Sequence, residues 1–187
     1  MNGAVRAIET PYRGHRFRSR LEARWAVFFD AAGIEWAYEP QAYEFPEIRW
    51  DNIRAEYWHT DRKLAYLPDF YLPGLRTFFE AKGTRPDGSS DEYKKFYSFS
   101  RALPDGQRAV LAYGSHPDPD TLGIDGHREE GEFDLHIVGD DHYAWCVCPW
   151  CGKAGIEFDA RGARVCGYKT HYSDEAAALA AIRHLGH

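Results

Sequence analysis

A chain of 187 residues that is 44% hydrophobic and 16% aromatic can bury a sizeable core, which excludes a compositionally disordered protein. No apolar run approaches the roughly 18 residues of a membrane helix, and the opening residues lack a secretion-signal apolar region, so a cytoplasmic protein without membrane contact is expected. The formal charge of −6 would argue against a polyanion partner, but it is uneven: residues 1–110 hold 17 Lys+Arg against 16 Asp+Glu, and residues 111–187 hold 6 against 13.

In chain order, a basic cluster comes first, with Arg13, Arg16, Arg18 and Arg20. It reads either as a solvated arm or as a phosphate contact. A helix is predicted over 19–33, where Leu21, Trp25, Phe28 and Phe29 make an apolar stripe, Ser19 is a good N-cap and Gly33 a stop. A strand follows over 34–40, ended by Pro40. Residues 44–62 have no clean period and read as an insertion or long loop. Two strands, 64–72 and 76–83, flank a turn at Pro73-Gly74. A second helix is predicted over 89–103, capped near Ser90, with Tyr93, Phe96, Tyr97 and Ser100 on one face. Strand 108–114 closes the series. A hairpin followed by strand, helix and strand predicts an α/β fold with a mixed sheet flanked by helices. Residues 116–125 look like an acidic linker. Short strands at 133–139 and 142–148 precede the cysteines, and a last helix is expected over 174–186, capped by Ser173.

The stretch "YLPDFYLPGLRTFFEAKG" threads charges through its two strands. In a symmetric hairpin about Pro73-Gly74, Leu72 opposes Leu75, Asp69 opposes Phe78 and Leu67 opposes Glu80. Residues 67, 69 and 71 then share a face with 78, 80 and 82, so Asp69 lies diagonal to Glu80 with Lys82 beyond. Two carboxylates so close repel unless a cation joins them. Carboxylate oxygens suit Mg²⁺, and a neighbouring lysine can offset charge on a phosphate, a set that fits metal-assisted phosphodiester hydrolysis. The alternative is an exposed strand face with three solvated charges.

Pro68-Asp69, ten intervening residues and Glu80-Ala81-Lys82 resemble the PD-(D/E)XK nuclease signature. The wider string from Arg16 is similar to phage-type Holliday-junction-resolving endonucleases and to transposon end-cleaving endonuclease subunits. The resemblance covers about residues 16–114 and implies a restriction-endonuclease-like core in the order αβββαβ over residues 1–116. It implies that Asp69, Glu80 and the Ala81 carbonyl ligate Mg²⁺ (or Mn²⁺), that Lys82 contacts the attacking water, and that Glu22 joins the metal site. Ser19-Arg20-Leu21-Glu22 is also a capping box, in which Glu22 would only bond the Ser19 amide. The implied activity is Mg²⁺-dependent DNA endonuclease, with Arg16, Arg18 and Arg20 on the DNA backbone. A dimeric junction resolvase, and a catalytically inactive adaptor binding DNA or protein, are the alternatives. The resemblance also points to a phage or mobile-element origin.

Cys146, Cys148, Cys151 and Cys166 cluster within 21 residues, and Cys148-Pro149-Trp150-Cys151-Gly152 has zinc-knuckle spacing. With a hairpin between the two loops, residues 117–187 resemble a zinc ribbon behind the linker, with a terminal helix and a possible role in holding a protein partner. The predicted structural Zn²⁺ ligands are Cys148, Cys151, Cys166 and His171, with Cys146 or His142 as alternatives for the fourth. Such a module has little apolar core of its own, so the metal is expected to carry much of its stability.

Overall fold

The computed structural model describes residues 7–114, 135–137, 140–158 and 164–166. It opens with a small antiparallel hairpin, β1 (Thr10–Tyr12) and β2 (His15–Phe17). Helix α1 (Arg20–Ala31) follows. The Ser19 hydroxyl accepts a bond from the Glu22 amide at 3.2 Å, which fixes its start. Gly33, at φ +66, ends it in a left-handed turn that a glycine adopts without strain. Trp25, Phe28 and Phe29 are buried as one stripe. The strand predicted over 34–40 shrinks to β3 (Ala37–Tyr38), because Glu39 turns to φ +44 just before Pro40.

The stretch 44–62 is not a loop. It lies in a long antiparallel hairpin, β4 (Tyr43–Asp51) and β5 (Glu56–Tyr66). Asp51 Oδ1 accepts bonds from the Ile53 and Arg54 amides at 2.8 and 3.2 Å, and this local turn reverses the chain. A bulge shifts the register between Pro46 and Ile48, and most β5 side chains are exposed. Both effects erase the period of two that would betray a half-buried strand.

Next come β6 (Phe70–Leu72) and β7 (Thr77–Lys82). Their connection is four residues, not the two-residue turn predicted at Pro73-Gly74: a 3₁₀ turn over Pro73–Leu75 closes through Arg76 at φ +49. The pairs are Leu72 with Thr77, Tyr71 with Phe78 and Phe70 with Phe79. The correction moves each partner by two residues, so the predicted faces survive. Asp69 comes level with Glu80 instead of diagonal to it. Helix α2 (Asp91–Ala102), capped by the Ser90 hydroxyl, crosses to β8 (Arg108–Tyr113), which runs parallel to β7.

The chain returns with β9 (Leu135–Ile137), β10 (Asp140–Val147) and β11 (Ala154–Phe158). Among the described residues these complete one seven-stranded mixed sheet, ordered β11-β10-β9-β8-β7-β6-β3. The expectation of little apolar core around the cysteines is therefore corrected. Trp145, on β10, is 2% exposed, and its ring centroid lies 5.2 Å from Phe28, 5.9 Å from Phe29 and 6.0 Å from Phe79. Leu135, Trp145 and Ile156 share one core with α1 and β7. The predicted linker at 116–125 and the helix at 174–186 lie outside the described residues. No helix among those described is long and apolar enough to cross a membrane.

Because Trp145 packs on residues more than 60 positions earlier, it ties the late strands to the early ones. Trp145→Ala should cost about 3–5 kcal/mol and lower the urea midpoint of one shared transition, seen equally by circular dichroism and tryptophan fluorescence. Trp145→Phe should recover most of the loss, since the indole N–H of Trp145 is buried without an acceptor. Two separate transitions in the parent protein would refute the shared core.

Candidate functional site

Between Tyr66 and Phe70 the chain leaves β5 and enters β6, and Pro68 prevents a continuous ladder through the break. Asp69 stands one residue before β6, level with Glu80 on β7. Both are buried, at 2% and 6% exposure. The Asp69 amide donates to Glu80 Oε2 at 3.3 Å, and the Ala81 amide donates to Asp69 Oδ2 at 2.8 Å. The Tyr66 hydroxyl donates to Glu80 Oε2 at 2.7 Å. Lys82 Nζ lies 2.8 Å from Glu80 Oε1 and 2.6 Å from Glu92 Oε1 on the first turn of α2. For Ala81, it is thus the amide that meets the site residue Asp69.

Helix α1 brings the fourth predicted residue. Glu22 accepts from the Ser19 hydroxyl at 2.8 Å, from the Tyr38 hydroxyl at 2.7 Å and from the Arg18 amide at 3.1 Å. The capping half supplied by Ser19 is present, but the carboxylate half reaches the Arg18 amide and not the Ser19 amide that a simple capping box requires. Glu22 is thereby aimed at the site. Glu22, Asp69, Glu80 and Lys82 line a single open cleft of about 480 Å³, together with Arg18, Glu92 and Lys95.

The predicted arginines separate. Arg18 enters the site: Nη2 is 2.7 Å from Asp69 Oδ1, and Nε is 2.8 Å from Glu39 Oε1. Its side chain remains 55% exposed, so one side of the guanidinium faces solvent. Arg16 is exposed and pairs with Glu9 at 3.5 Å. Arg20 lines a different, shallow depression with Tyr12 and Val27. Tyr38, Glu39, Tyr66 and Glu92 escaped the sequence reading. Only Glu92 carried a signal, as an acid in the first turn of the helix that follows the lysine-bearing strand.

The electrostatics follow from burial. Removal from water, then Glu80 and Glu22, push the Asp69 carboxyl well above the usual carboxylate range; the Ala81 amide and Lys82 pull it back by less. Burial alone would lower the Lys82 ammonium, but Glu80, Glu92 and Asp69 outweigh it and hold the lysine protonated. Burial and the Tyr38 hydroxyl's bond to Glu22 raise Tyr38 to about 12, which keeps that hydroxyl a donor. Burial and the neighbouring carboxylates thus disfavour a charge on Asp69, and Arg18 and Lys82 are the cations that face the cluster.

The second cluster sits at the tip of the β10–β11 hairpin. Cys148, Cys151 and Cys166 place their sulfurs within 4.8 Å of one another, close enough to share a metal ion. Cys151 Sγ is 3.4 Å from Cys166 Sγ, well beyond the ~2.0 Å of a disulfide. Gly152, at φ +70, lets its amide fold back to the Cys148 carbonyl at 2.9 Å. Cys146 does not join the three. Its sulfur is buried with Ala144 and Val165 and lies 3.8 Å from the Gly155 carbonyl oxygen. His171 and the side chain of His142 lie outside the described residues.

The chain matches no protein-family model, no curated protein and no solved structure. Its chemistry must be argued from its own residues.

Gly155 decides whether Cys166 reaches the turn. A Cβ there would lie 2.8 Å from Val165 Cγ1, so the segment carrying Cys166 can lie flat on β11 only over a glycine. Gly155→Ala should cut the metal retained after purification to less than about half an equivalent, read by elemental analysis. Adding Val165→Ala should restore it. Full metal in Gly155→Ala would refute the close approach.

Proposed function

We propose that the chain is a Mg²⁺- or Mn²⁺-dependent DNA endonuclease of the PD-(D/E)XK type. One observation carries the reading: residues from three separate elements, Glu22, Asp69, Glu80 and Lys82, line one cleft, with two of the carboxylates buried against each other. Burying like charges costs several kcal/mol per ion even with Arg18 and Lys82 in contact, and a site built to take up a divalent cation accounts for that cost. The donor set is all oxygen, which suits a hard divalent ion held by Asp69 and Glu80 with Glu22. Such an ion would supply Lewis-acid stabilisation of negative charge on the phosphate.

The protein's own groups supply the rest. Lys82, protonated between Glu80 and Glu92, acts as a cation that orients the attacking water and stabilises developing charge, not as a base. Tyr66 and Tyr38 fix the Glu80 and Glu22 carboxylates. Arg18 covers Asp69 from the solvent side. A DNA phosphate can draw the half-exposed guanidinium outward, because guanidinium binds phosphate in the same forked geometry as carboxylate. Arg16 is the second backbone contact. Zn²⁺, held by Cys148, Cys151 and Cys166 with His171 as the fourth ligand, closes the hairpin tip as a structural site.

The Arg18–Asp69 contact also favours a second reading, an inactive adaptor in which this ion pair permanently replaces the metal. Arg18→Ala separates the two. If the site is a nuclease, Mg²⁺ affinity measured by calorimetry without DNA should rise about tenfold, the equivalent of about 1.4 kcal/mol, because the competing cation is gone. If the chain is an adaptor, Arg18→Ala should bind no Mg²⁺ and unfold more readily.

Asp69→Asn and Lys82→Ala should each reduce Mg²⁺-dependent cleavage of plasmid DNA by at least about a hundredfold while DNA binding survives. Glu22→Gln should lose cleavage with little change in melting temperature, since the glutamine carbonyl can accept from the Tyr38 hydroxyl and the Arg18 amide and its NH2 can donate to Ser19 Oγ, whereas a neutral amide is a poor Mg²⁺ ligand. Cleavage at the parent rate by Asp69→Asn would overturn the assignment. A profile over duplex, single-stranded and four-way-junction DNA then names the substrate shape.

A further inference from the structure

A second cleft lies on the other side of α2. It holds about 670 Å³ between that helix and the β4–β5 hairpin. Its walls are Trp50 and Tyr57 from the hairpin and Tyr93 and Tyr97 from the helix, with Arg49, Lys94 and the buried Glu47 carboxylate, which pairs with Arg49 at 3.0 Å and leaves its guanidinium half-exposed. Trp50 and Tyr57 are 45% and 43% exposed although they face each other as a cross-strand pair with centroids 4.6 Å apart. The rings are held, not loose. The Arg101 guanidinium lies 4.3 Å from the Tyr57 ring centroid and 5.7 Å from that of Tyr97, and it donates to the Tyr57 hydroxyl at 2.7 Å. The pair stabilises the hairpin, yet it leaves ring surface open to water that a ligand can cover.

We propose that this cleft binds an unpaired stretch of DNA, with a base stacked on Trp50 and Tyr57 and its phosphates on Lys94 and Arg49. The inference rests on the nuclease reading and narrows its substrate to DNA with a single-stranded part. Three observations favour a nucleobase over a peptide. The lining includes one aliphatic side chain, Ile48, and that is buried, whereas peptide grooves are built on exposed aliphatic and aromatic surface together. Cations flank the rings, which is the pairing that holds stacked bases and their backbone. The cleft also shares α2 with the candidate active site: Tyr93, Lys94 and Tyr97 face the rings, while Glu92 and Lys95 line the carboxylate cleft. A helix roughly 10 Å across separates the two, a span that a few nucleotides of single strand can cover. A strand stacked in one cleft can therefore place a phosphate in the other. Duplex DNA offers no base face to such rings without unstacking.

The test measures binding apart from cleavage. The full chain carrying Asp69→Asn is titrated without added Mg²⁺ against fluorescein-labelled (dT)10 and a blunt 10-base-pair duplex, with anisotropy as the readout. Single-stranded binding should be the tighter. Trp50→Ala and Tyr57→Ala should each weaken (dT)10 binding about tenfold, change duplex binding less than twofold and leave the salt slope alone, because a stack carries no counterions. Lys94→Ala should flatten the salt slope. Trp50→Phe and Tyr57→Phe keep the rings and should bind as the parent does, which separates stacking from misfolding. Unchanged (dT)10 affinity in both alanine variants overturns the proposal, as does equal loss on duplex and single strand. If the parent chain cleaves DNA with Mg²⁺ and those variants still bind (dT)10 normally, this inference fails and the nuclease reading stands. If nothing is cleaved but (dT)10 binding depends on Trp50 and Tyr57, the nuclease reading fails and the cleft stands.

Discussion

Two carboxylates held against each other at the break between β5 and β6 set the terms for everything around them. Asp69 and Glu80 are nearly inaccessible to water, so each must be answered from within the protein. The answers come from four directions: the Ala81 amide, the Tyr66 hydroxyl, the Arg18 guanidinium and the Lys82 ammonium. None of these donors is a close sequence neighbour of all the others. The loop before α1, the first turn of α2 and the strand end at Tyr66 are fixed in space because this charge must be met.

The same logic explains Glu39. Its backbone sits in the left-handed region, uncommon for a residue with a Cβ, and its amide donates to the Asp69 carbonyl at 2.9 Å while its carboxylate holds Arg18. Local strain there is repaid by two contacts that orient the Arg18 fork on Asp69. The countercharge is thus positioned, not merely nearby. The carboxylates beneath it are held by their own donors, the Ala81 amide and the Tyr66 hydroxyl.

The rest of the molecule is organised around aromatic packing. Trp25, Phe28, Phe29, Phe79 and Trp145 join α1, β7 and β10 into one core, so the hairpin that ends in the cysteine cluster grows out of the sheet that carries the acidic cleft. A metal at Cys148, Cys151 and Cys166 would therefore close the edge of a sheet already anchored by Trp145, and not hold an isolated module together. On the opposite side, α2 divides the surface into an acidic cleft and an aromatic one. One short helix serves both, because residues 92 and 95 and residues 93, 94 and 97 fall on different faces at 3.6 residues per turn.

The sequence by itself determined the two helices among the described residues, the crossover from β7 to β8, the shared face of Asp69, Glu80 and Lys82, and the knuckle spacing of Cys148 and Cys151. Each is a local matter of period, capping or alternation, which a few adjacent residues dictate. It could not show that 44–62 is a hairpin, because a bulge and two exposed faces leave no periodic signal. It placed the turn at Pro73-Gly74 because those residues favour turns, whereas Arg76 takes the left-handed position that sets the register. Only the tertiary structure decided that Arg18 covers Asp69, that Glu22 reaches past its own cap, and that Arg20 lies elsewhere. Asp69 and Arg18 are 51 positions apart, and nothing in either neighbourhood records the other. Long-range charge pairing is settled by which buried groups the fold brings within hydrogen-bond reach, and that depends on how the aromatic core packs.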